Sequence, residues 1–240
     1  MIFDRYEYSN RGGRSYNEDS VGSRIEGNNG IFVVADGLGG HFFGDVASAC
    51  VRDTLLEKFP CQDGNPGRWF EEQIADANRR VLELQEEKGT VLKSTVAALY
   101  VMENKAVWAH AGDSRLYYIH EGRLKAFTED HSVAYKKYKA GEISRSDIAF
   151  DEDQPRILRA IGGRDHNEPA ICVYDEVISS GDAFLLCSDG TWEFLDDEEI
   201  VIDFLKSENA RQWAEYLLLR IMERISGGND NLTILTIILK

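Results

Sequence analysis

The chain has 240 residues, of which 43% are hydrophobic and 29% are charged, and its formal net charge is −15. This length and hydrophobicity suffice for one large folded domain and exclude a disordered chain, and four prolines against 21 glycines exclude a proline-rich or collagen-like chain. The negative charge argues against nucleic acid as a partner, because binding to a polyanion depends on basic residues that displace its counterions.

Cysteine spacing and hydropathy bear on the location of the protein. The four cysteines, Cys50, Cys61, Cys172 and Cys187, form no Cys-x-x-Cys pair, so they indicate neither a disulfide framework nor a zinc site. Reduced thiols of this kind are typical of the cytoplasm. No apolar run approaches the roughly 18 residues of a membrane span, and we expect neither export nor membrane insertion.

The first predicted elements form a hairpin. Two runs of strand-forming residues, Ser20 to Ile25 and Ile31 to Ala35, flank the turn sequence Gly27-Asn28-Asn29. In such a hairpin the numbers of opposite residues sum to about 55 to 57. Asp19 is therefore predicted to lie opposite Asp36 to within two positions.

Helices and further strands follow along the chain. Apolar residues recur at spacings of three and four from Phe43 to Phe59 and again from Phe70 to Leu84, after Pro66. This pattern predicts helices with one buried face, and proline is favoured at a helix start. Other runs predict strands at 95–101, 106–109, 116–119, 183–187 and 232–239, and helices from 196 and over 214–225.

The stretch from Tyr135 to Pro155 has a different character. Its lysines, Lys136, Lys137 and Lys139, are followed by a polar, acidic segment, which suits neither a core helix nor a buried strand. We expect an irregular, mobile flap beside the functional cleft that contacts protein substrates.

Several predicted strands are apolar on both faces, so both faces must be covered. This favours an α+β fold of packed sheets with helices outside. The sequence contains no internal repeat and no linker, and we expect one domain over residues 1–240.

Acidic residues stand at the ends of the predicted strands. Asp36 and Asp189 directly follow strands, whereas Asp230 and the pair Glu18-Asp19 directly precede strands. Because the start of one strand meets the end of its antiparallel neighbour, all five carboxylates are predicted at one edge. Clustered carboxylates repel one another unless cations bind, and oxygen ligands without His or Cys select Mg²⁺ or Mn²⁺. For any single Asp, an ordinary Asp-Gly turn is the alternative.

Two other motifs resemble known sites but lack residues that those sites require. Gly112-Asp113-Ser114 resembles the nucleophile of trypsin-like proteases, but Arg115 stands where that site has glycine, and a disulfide-bearing context is absent. Gly37-Leu38-Gly39 follows a strand, but the third glycine of a dinucleotide-binding loop would fall at Phe42. No Gly-Lys-Ser/Thr follows, which excludes a phosphate-binding P-loop.

Eight short motifs occur in order from Arg14 to the C-terminus: Arg14-Ser15-Tyr16-Asn17-Glu18-Asp19, Val34-Ala35-Asp36-Gly37-Leu38-Gly39-Gly40-His41, Ser94-Thr95, Gly112-Asp113-Ser114-Arg115, Asp130-His131-Ser132, Arg159-Ala160-Ile161-Gly162, Leu186-Cys187-Ser188-Asp189-Gly190 and Asp230-Asn231-Leu232-Thr233. Each is weak alone, but together they are specific. The chain resembles the metal-dependent serine/threonine protein phosphatases of type 2C, in their compact bacterial form.

The resemblance implies a four-layer α-β-β-α sandwich, in which two stacked, mostly antiparallel sheets are flanked by helices and two metal ions lie in a cleft at one edge. By position, it implies that Asp36 bridges both ions and that the Gly37 carbonyl holds the first. It implies that the second is held by three carboxylates, those of Glu18, Asp189 and Asp230.

Four more residues receive roles from the resemblance. Asp19 would bind metal-held waters, and Arg14 would bind the phosphate, with a surface ion pair as its alternative. Asp113 matches the family position that helps to hold a third, weaker metal ion; alternatively, it is a turn residue paired with Arg115. Glu193 stands where the family usually has an Asp for the same ion. His41 is a candidate general acid or, alternatively, a residue that hydrogen-bonds its turn.

The implied activity is hydrolysis of phosphoserine and phosphothreonine by water activated at two Mg²⁺ or Mn²⁺ ions, with a weak third ion. The expected partners are phosphorylated proteins and a cognate Ser/Thr kinase, with no nucleic acid and no membrane, for a cytoplasmic monomer. The alternative is a non-catalytic relative that binds metal or phosphoprotein without turnover. The presence of all five carboxylates favours the active enzyme.

Overall fold

The computed structural model describes residues 1–39, 43–61, 64–163 and 177–240, and the backbone of 170–174. The elements are β1 (Phe3–Asn10), β2 (Asp19–Glu26), β3 (Asn29–Gly39), α1 (Gly44–Glu57), α2 (Pro66–Lys88), β4 (Leu92–Ser94), β5 (Val96–Met102), β6 (Lys105–Ala111), β7 (Arg115–His120), β8 (Arg123–Phe127), α3 (Val133–Lys139), a 3-10 helix (Arg145–Phe150), β9 (Ala170–Tyr174), β10 (Ala183–Cys187), α4 (Asp189–Trp192), α5 (Asp197–Lys206), α6 (Ala210–Arg224) and β11 (Leu232–Leu239).

The strands form two antiparallel sheets. The first has the order β1-β11-β10-β7-β8, and the second has the order β2-β3-β5-β6-β9, with β4 paired to the end of β3. The predicted hairpin is formed by β2 and β3, and its register sets Asp19 directly opposite Asp36. The register prediction is therefore confirmed.

Three apolar layers separate four structural layers. One layer lies between the second sheet and α1 and α2, one between the two sheets, and one between the first sheet and the helices α3, α5 and α6. Strand β3 shows why this requires two apolar faces: Ile31 and Val33 point to α1 and α2, whereas Phe32 and Val34 point to the other sheet. The predicted four-layer α-β-β-α sandwich is confirmed.

The predicted helices and strands coincide with observed elements, but β4, β9 and α4 were not predicted, and neither were β1 and β8. Both lie at the edges of the first sheet. Edge strands carry polar residues toward water, and β1 and β8 include Asp4, Arg5, Arg123 and Lys125. Their hydrophobic pattern is correspondingly weak, which explains why the sequence did not reveal them.

The prediction of an irregular segment over 135–155 is wrong. Helix α3 and the 3-10 helix occupy much of it, and Tyr135 is buried. The amino group of Lys137 lies 2.9 Å from Asp151 and 2.7 Å from Asp153. The basic start and the acidic end therefore pair with each other. Within the described ranges, none of the helices combines the length and apolarity needed to cross a membrane.

Candidate metal centre

An open cleft of about 840 Å³ lies where β3 and β10 end and β11 begins. Arg14 and the Gly37 backbone contribute to its wall. The acidic residues that line it are Glu18, Asp36, Asp113, Asp151, Glu152, Asp189, Glu193 and Asp230. The sheet edges thus bring together the predicted carboxylates, with Asp19 beneath them.

Asp36 is held from its backbone. Its N–H donates to Thr95 Oγ1 over 2.9 Å, and its carbonyl accepts from the Thr95 N–H at 2.8 Å and from Ser94 Oγ at 3.1 Å. Burial raises the pKa of the Asp36 carboxyl well above its ordinary value, and the nearby acidic groups, Asp19 first, add to this. A positive charge in the cleft would relieve both effects.

Asp19 lies under the cleft and is 8% exposed. Its Oδ2 accepts a hydrogen bond from Ser188 Oγ at 2.7 Å, whereas its buried Oδ1 has no partner among the described residues. Burial raises the pKa of Asp19 to about 6. Because a buried polar atom without a partner is costly, Oδ1 is suited to a cation or an ordered water.

Glu18 and Gly37 converge at the start of α1. Glu18 Oε1 accepts from the Gly44 N–H at 3.0 Å. A Cβ atom added at Gly44 would lie 2.5 Å from Glu18 Oε1 and 2.6 Å from the Gly37 carbonyl oxygen. Only glycine leaves this space open, and it is bordered by two oxygen ligands of the type that divalent cations prefer.

Asp189 and Asp230 lie beside strands of the first sheet, Asp189 after β10 and Asp230 before β11. Asp189 begins α4, its Oδ1 accepts from the Gly190 N–H at 2.6 Å, and burial, followed by the charge of Asp230, raises its pKa to about 7. Asp230 Oδ1 accepts from the Asn231 N–H at 2.8 Å. Asp230 Oδ2 accepts from Arg14 Nη2 at 2.6 Å.

Arg14 therefore makes the surface ion pair that was its alternative assignment. Its side chain is 58% exposed. Exposed ion pairs contribute about 0 to 1 kcal/mol, so the guanidinium can exchange Asp230 for another anion at little cost.

Asp113 and Glu193 both line the cleft, as does Asp189. Burial raises the pKa of Asp113 well above its ordinary value and that of Glu193 to about 8, and the charge of Asp189 adds to each shift. The Asp113 carbonyl accepts from Trp192 Nε1 at 2.8 Å. Both candidates for a third ion thus reach the same cavity.

Arg115 does not pair with Asp113, so the turn-pair alternative is wrong. Its guanidinium makes two hydrogen bonds to Asp130, of 2.8 and 2.6 Å, and lies 3.5 Å from the centre of the Trp192 ring. Asp130 neutralises Arg115, and the carboxylate of Asp113 is left for the cleft.

The described residues contain no group of three or more His, Cys, Asp or Glu side chains that already stands as a metal site. Glu18, Asp19, Asp189 and Asp230 each accept from a protein donor instead. The donor set, the unpartnered Asp19 oxygen and the space at Gly44 all fit hard divalent cations. His41 lies outside the described residues.

The sequence did not indicate the residues that position the carboxylates. The side chain of Asn231 accepts from the Glu18 N–H at 2.7 Å and donates to the carbonyls of Arg11 and Tyr16 at 2.9 and 2.8 Å. Asn231 and Ser188 adjoin predicted ligands in the sequence, and that adjacency is the only signal of their role. Ser48 Oγ, which donates to the Glu18 carbonyl, had no such signal.

Comparison with known proteins agrees with this geometry. The model of the protein phosphatase 2C family matches residues 8–217. The serine/threonine phosphatase stp of Listeria welshimeri is 30% identical over 93% of this chain and 90% of its own. Protein phosphatase PhpP of Streptococcus pneumoniae is 28% identical over 92% of this chain and 91% of its own length.

Solved structures show the same architecture. The serine/threonine phosphatase PstP/Ppp of Mycobacterium tuberculosis superimposes with a TM-score of 0.87 at 27% identity, over the whole of both chains. The catalytic domain of PstP in complex with two manganese ions gives a TM-score of 0.84 at 27% identity, over 99% of each chain. Fold, cleft and sequence relatives lead to one conclusion: the chain belongs to the protein phosphatase 2C family.

Proposed function

We propose that this serine/threonine protein phosphatase hydrolyses phosphoserine and phosphothreonine in proteins with two divalent cations, Mg²⁺ or Mn²⁺, in the acidic cleft. The observation that carries the proposal is the convergence of carboxylates from both sheets on one cavity. Burial and mutual repulsion raise their pKa values, as for Asp36 and Asp189. The arrangement is stabilised when cations replace protons.

The ligands divide between two sides of the cleft. Glu18 and the Gly37 carbonyl would hold one ion, Asp189 and Asp230 would hold the other, and Asp36 would serve as a further ligand. The resemblance placed Glu18 with Asp189 and Asp230, but the approach of Glu18 Oε1 and the Gly37 oxygen at Gly44 supports the present assignment.

Two bound ions lower the pKa of water, so that hydroxide is available at neutral pH, and they offset the charge of the phosphoryl group. Asp19 accepts a hydrogen bond from the attacking water through the Oδ1 atom that lacks a protein partner. Arg14 leaves Asp230 and binds two phosphoryl oxygens, for which its planar guanidinium is suited. This contact steadies the substrate for in-line attack.

Three assignments complete the proposal. Asp113 and Glu193 would hold a third ion. This ion would be weakly bound, because Glu193 is longer and less fixed than the Asp usual there. His41 or a water protonates the leaving alkoxide. The protein acts as a cytoplasmic monomer with the flap segment over 135–155 at its cleft, and a Ser/Thr kinase supplies its phosphoprotein substrates.

The test is phosphate release from phosphothreonine peptides with Mn²⁺, repeated with excess chelator and with p-nitrophenyl phosphate. We expect turnover that requires the metal ion. Full activity in chelator would contradict the role of the carboxylates. Absence of turnover on both substrates with Mn²⁺ would instead support a non-catalytic relative that binds phosphoprotein or metal.

A further inference from the structure

A second hollow, of about 430 Å³, adjoins the metal cleft. Leu38, Pro155 and Ile157 line both cavities, so the two adjoin along this shared wall. A peptide bound over the carboxylates can therefore extend into this hollow. An extended residue spans about 3.3 Å, so a side chain a few residues from the phosphorylated one can extend toward it.

The hollow is basic in a chain whose net charge is −15. Lys93, Arg156 and Arg159 line it, and no acidic residue is among the described residues of its wall. Arg156 Nη1 is paired with Asp153 at 2.8 Å. The side chains of Lys93 and Arg159 have no ion-pair partner in the part of the chain that the structure describes. We call this cavity, with the positive charges of Lys93 and Arg159 in its wall, the basic hollow.

The wall of the basic hollow is fixed relative to the metal centre. Ser94, next to Lys93, and Ile161 exchange backbone hydrogen bonds of 3.0 and 2.7 Å. The Ser94 hydroxyl donates to the Asp36 carbonyl. A group bound in the hollow is therefore held at a defined distance from the cleft carboxylates, and such preorganisation lowers the entropic cost of binding.

Two histidines near Arg159 do not add to the charge of the hollow. The rings of His110 and His131 stack at 4.6 Å. Burial, then the charge of His110 and that of Arg159, lowers the pKa of His131 to about 3. Both rings are neutral near pH 7, so the attraction for anions comes from Lys93 and Arg159.

We propose that the basic hollow binds an acidic side chain of the protein substrate, close in sequence to the phosphoserine or phosphothreonine that is hydrolysed. The proposal rests on the proposed function and names its substrate class: phosphoproteins with a carboxylate or a second phosphoryl group near the target residue. Either group can accept charge-assisted hydrogen bonds from Lys93 and Arg159. This local attraction offsets the repulsion of an acidic peptide by the acidic enzyme.

The experiment compares three phosphothreonine peptides that differ only in acidic, neutral or basic residues within about four positions of the phosphothreonine. We expect wild type to prefer the acidic over the neutral peptide about 10-fold in kcat/KM, mainly through KM. The double variant Lys93→Gln/Arg159→Gln should reduce this preference to about 2-fold or less. Its kcat/KM for p-nitrophenyl phosphate, which is too small to reach the hollow, should stay unchanged.

The matched control is Lys105→Gln/Arg123→Gln. It removes the same charge at the starts of β6 and β8, the ends of the sheets opposite the cleft. The control should keep the preference. The preference should also weaken as salt rises from about 0.05 to 0.5 M.

Equal kcat/KM for all three peptides in wild type, or an undiminished preference in the double variant, would overturn the proposal. A parallel loss of p-nitrophenyl phosphate turnover would show a structural role for the two residues instead. If inorganic phosphate binding falls in the double variant while the peptide preference persists, the occupant is free phosphate and the proposal is wrong.

The failure of the proposed function is separable from the failure of this inference. Fluorescence anisotropy with labelled, unphosphorylated acidic and neutral peptides measures binding to the hollow without turnover. An inactive protein that binds the acidic peptide more tightly, and loses this in the double variant, would retain the basic hollow while contradicting phosphatase activity. Equal anisotropy for both peptides would count against the basic hollow itself.

Discussion

At the scale of single residues, the cleft carboxylates are electrostatically unfavourable in the metal-free protein. Burial and neighbouring negative charge raise the pKa of Asp36 and of Asp189. The function of these residues therefore opposes stability at neutral pH. Substitutions of Asp36 and Asp189 should therefore separate the effect on turnover from the effect on stability.

We expect Asp189→Asn and Asp36→Ala each to abolish turnover. Neither should lower the melting temperature of the metal-free protein, because each removes a repelling charge. Calorimetry in chelator and phosphate-release assays in Mn²⁺ measure the two effects. A variant with near-normal turnover would contradict the metal-ligand assignment.

Arg14→Ala is expected to raise KM and to lower kcat/KM by about 10- to 100-fold. This is the scale of a lost charge-assisted contact to phosphate. Arg14→Lys should recover only part of this loss, because lysine does not bind two oxygens in one plane. Titration with Mn²⁺ is the control. If Arg14→Ala changes metal affinity instead, its ion pair with Asp230 is the important contact.

At the scale of elements, the start of α1 packs against β3 so closely that Gly44 has no room for a side chain. The added methyl group of Gly44→Ala would lie 2.5 Å from Glu18 Oε1. We expect at least about a 10-fold weaker binding of Mn²⁺ by calorimetric titration, with the circular dichroism spectrum unchanged, because a ligand oxygen is displaced. Wild-type affinity in this variant would show that Glu18 is not a ligand.

The 3-10 helix presents Phe150 at the rim of the cleft, where it is 85% exposed. Since Tyr135 and Ile148 of the flap segment are buried, deletion of the segment would damage the fold. We expect Phe150→Ala to lower kcat/KM for a phosphoprotein about 5-fold or more while p-nitrophenyl phosphate turnover stays unchanged, because it removes apolar contact area. Met222→Ala, at a 71% exposed position on α6, is the control. Equal losses on both substrates would contradict substrate contact.

Sequence patterns predicted those elements whose hydrophobic period is strong. The register of β2 and β3 followed from alternation and turn chemistry alone. Helix α3 was missed because Lys136, Lys137 and Lys139 obscured its short buried face, and the pairing of Lys137 with Asp151 depends on tertiary contact. Carboxylate positions followed from strand ends, whereas hydrogen-bond partners such as Asn231 depend on how separate loops meet.

At the scale of the whole molecule, the metal-free protein should lose stability as pH rises from 6.5 to 8. The pKa values of Asp189 and Glu193 are raised to about 7 and about 8. A carboxyl whose folded-state pKa lies above its unfolded value stabilises fully at low pH, and this contribution is lost as pH rises through the folded-state pKa. His131, with its pKa lowered to about 3, acts in the opposite direction, but only below its unfolded value near 6.5.

Urea denaturation in chelator at pH 6.5 and at pH 8 measures this effect. We expect the free energy of unfolding to fall by roughly 1 to 3 kcal/mol. Saturating Mn²⁺ should reverse the trend, and Glu193→Gln should flatten it. Stability that rises with pH in the metal-free protein would contradict the electrostatic account of the cleft.

The two sheets contribute separately to the cleft: Glu18 directly precedes β2 and Asp36 lies in β3, whereas Asp189 follows β10 and Asp230 precedes β11. Away from the cleft the interface between the sheets is largely apolar, and apolar contacts are not directional. Cations held from both sides would act there as a non-covalent cross-link. Loading the centre should therefore slow amide hydrogen exchange well beyond the cleft, in strands of both sheets whose side chains never touch the ions.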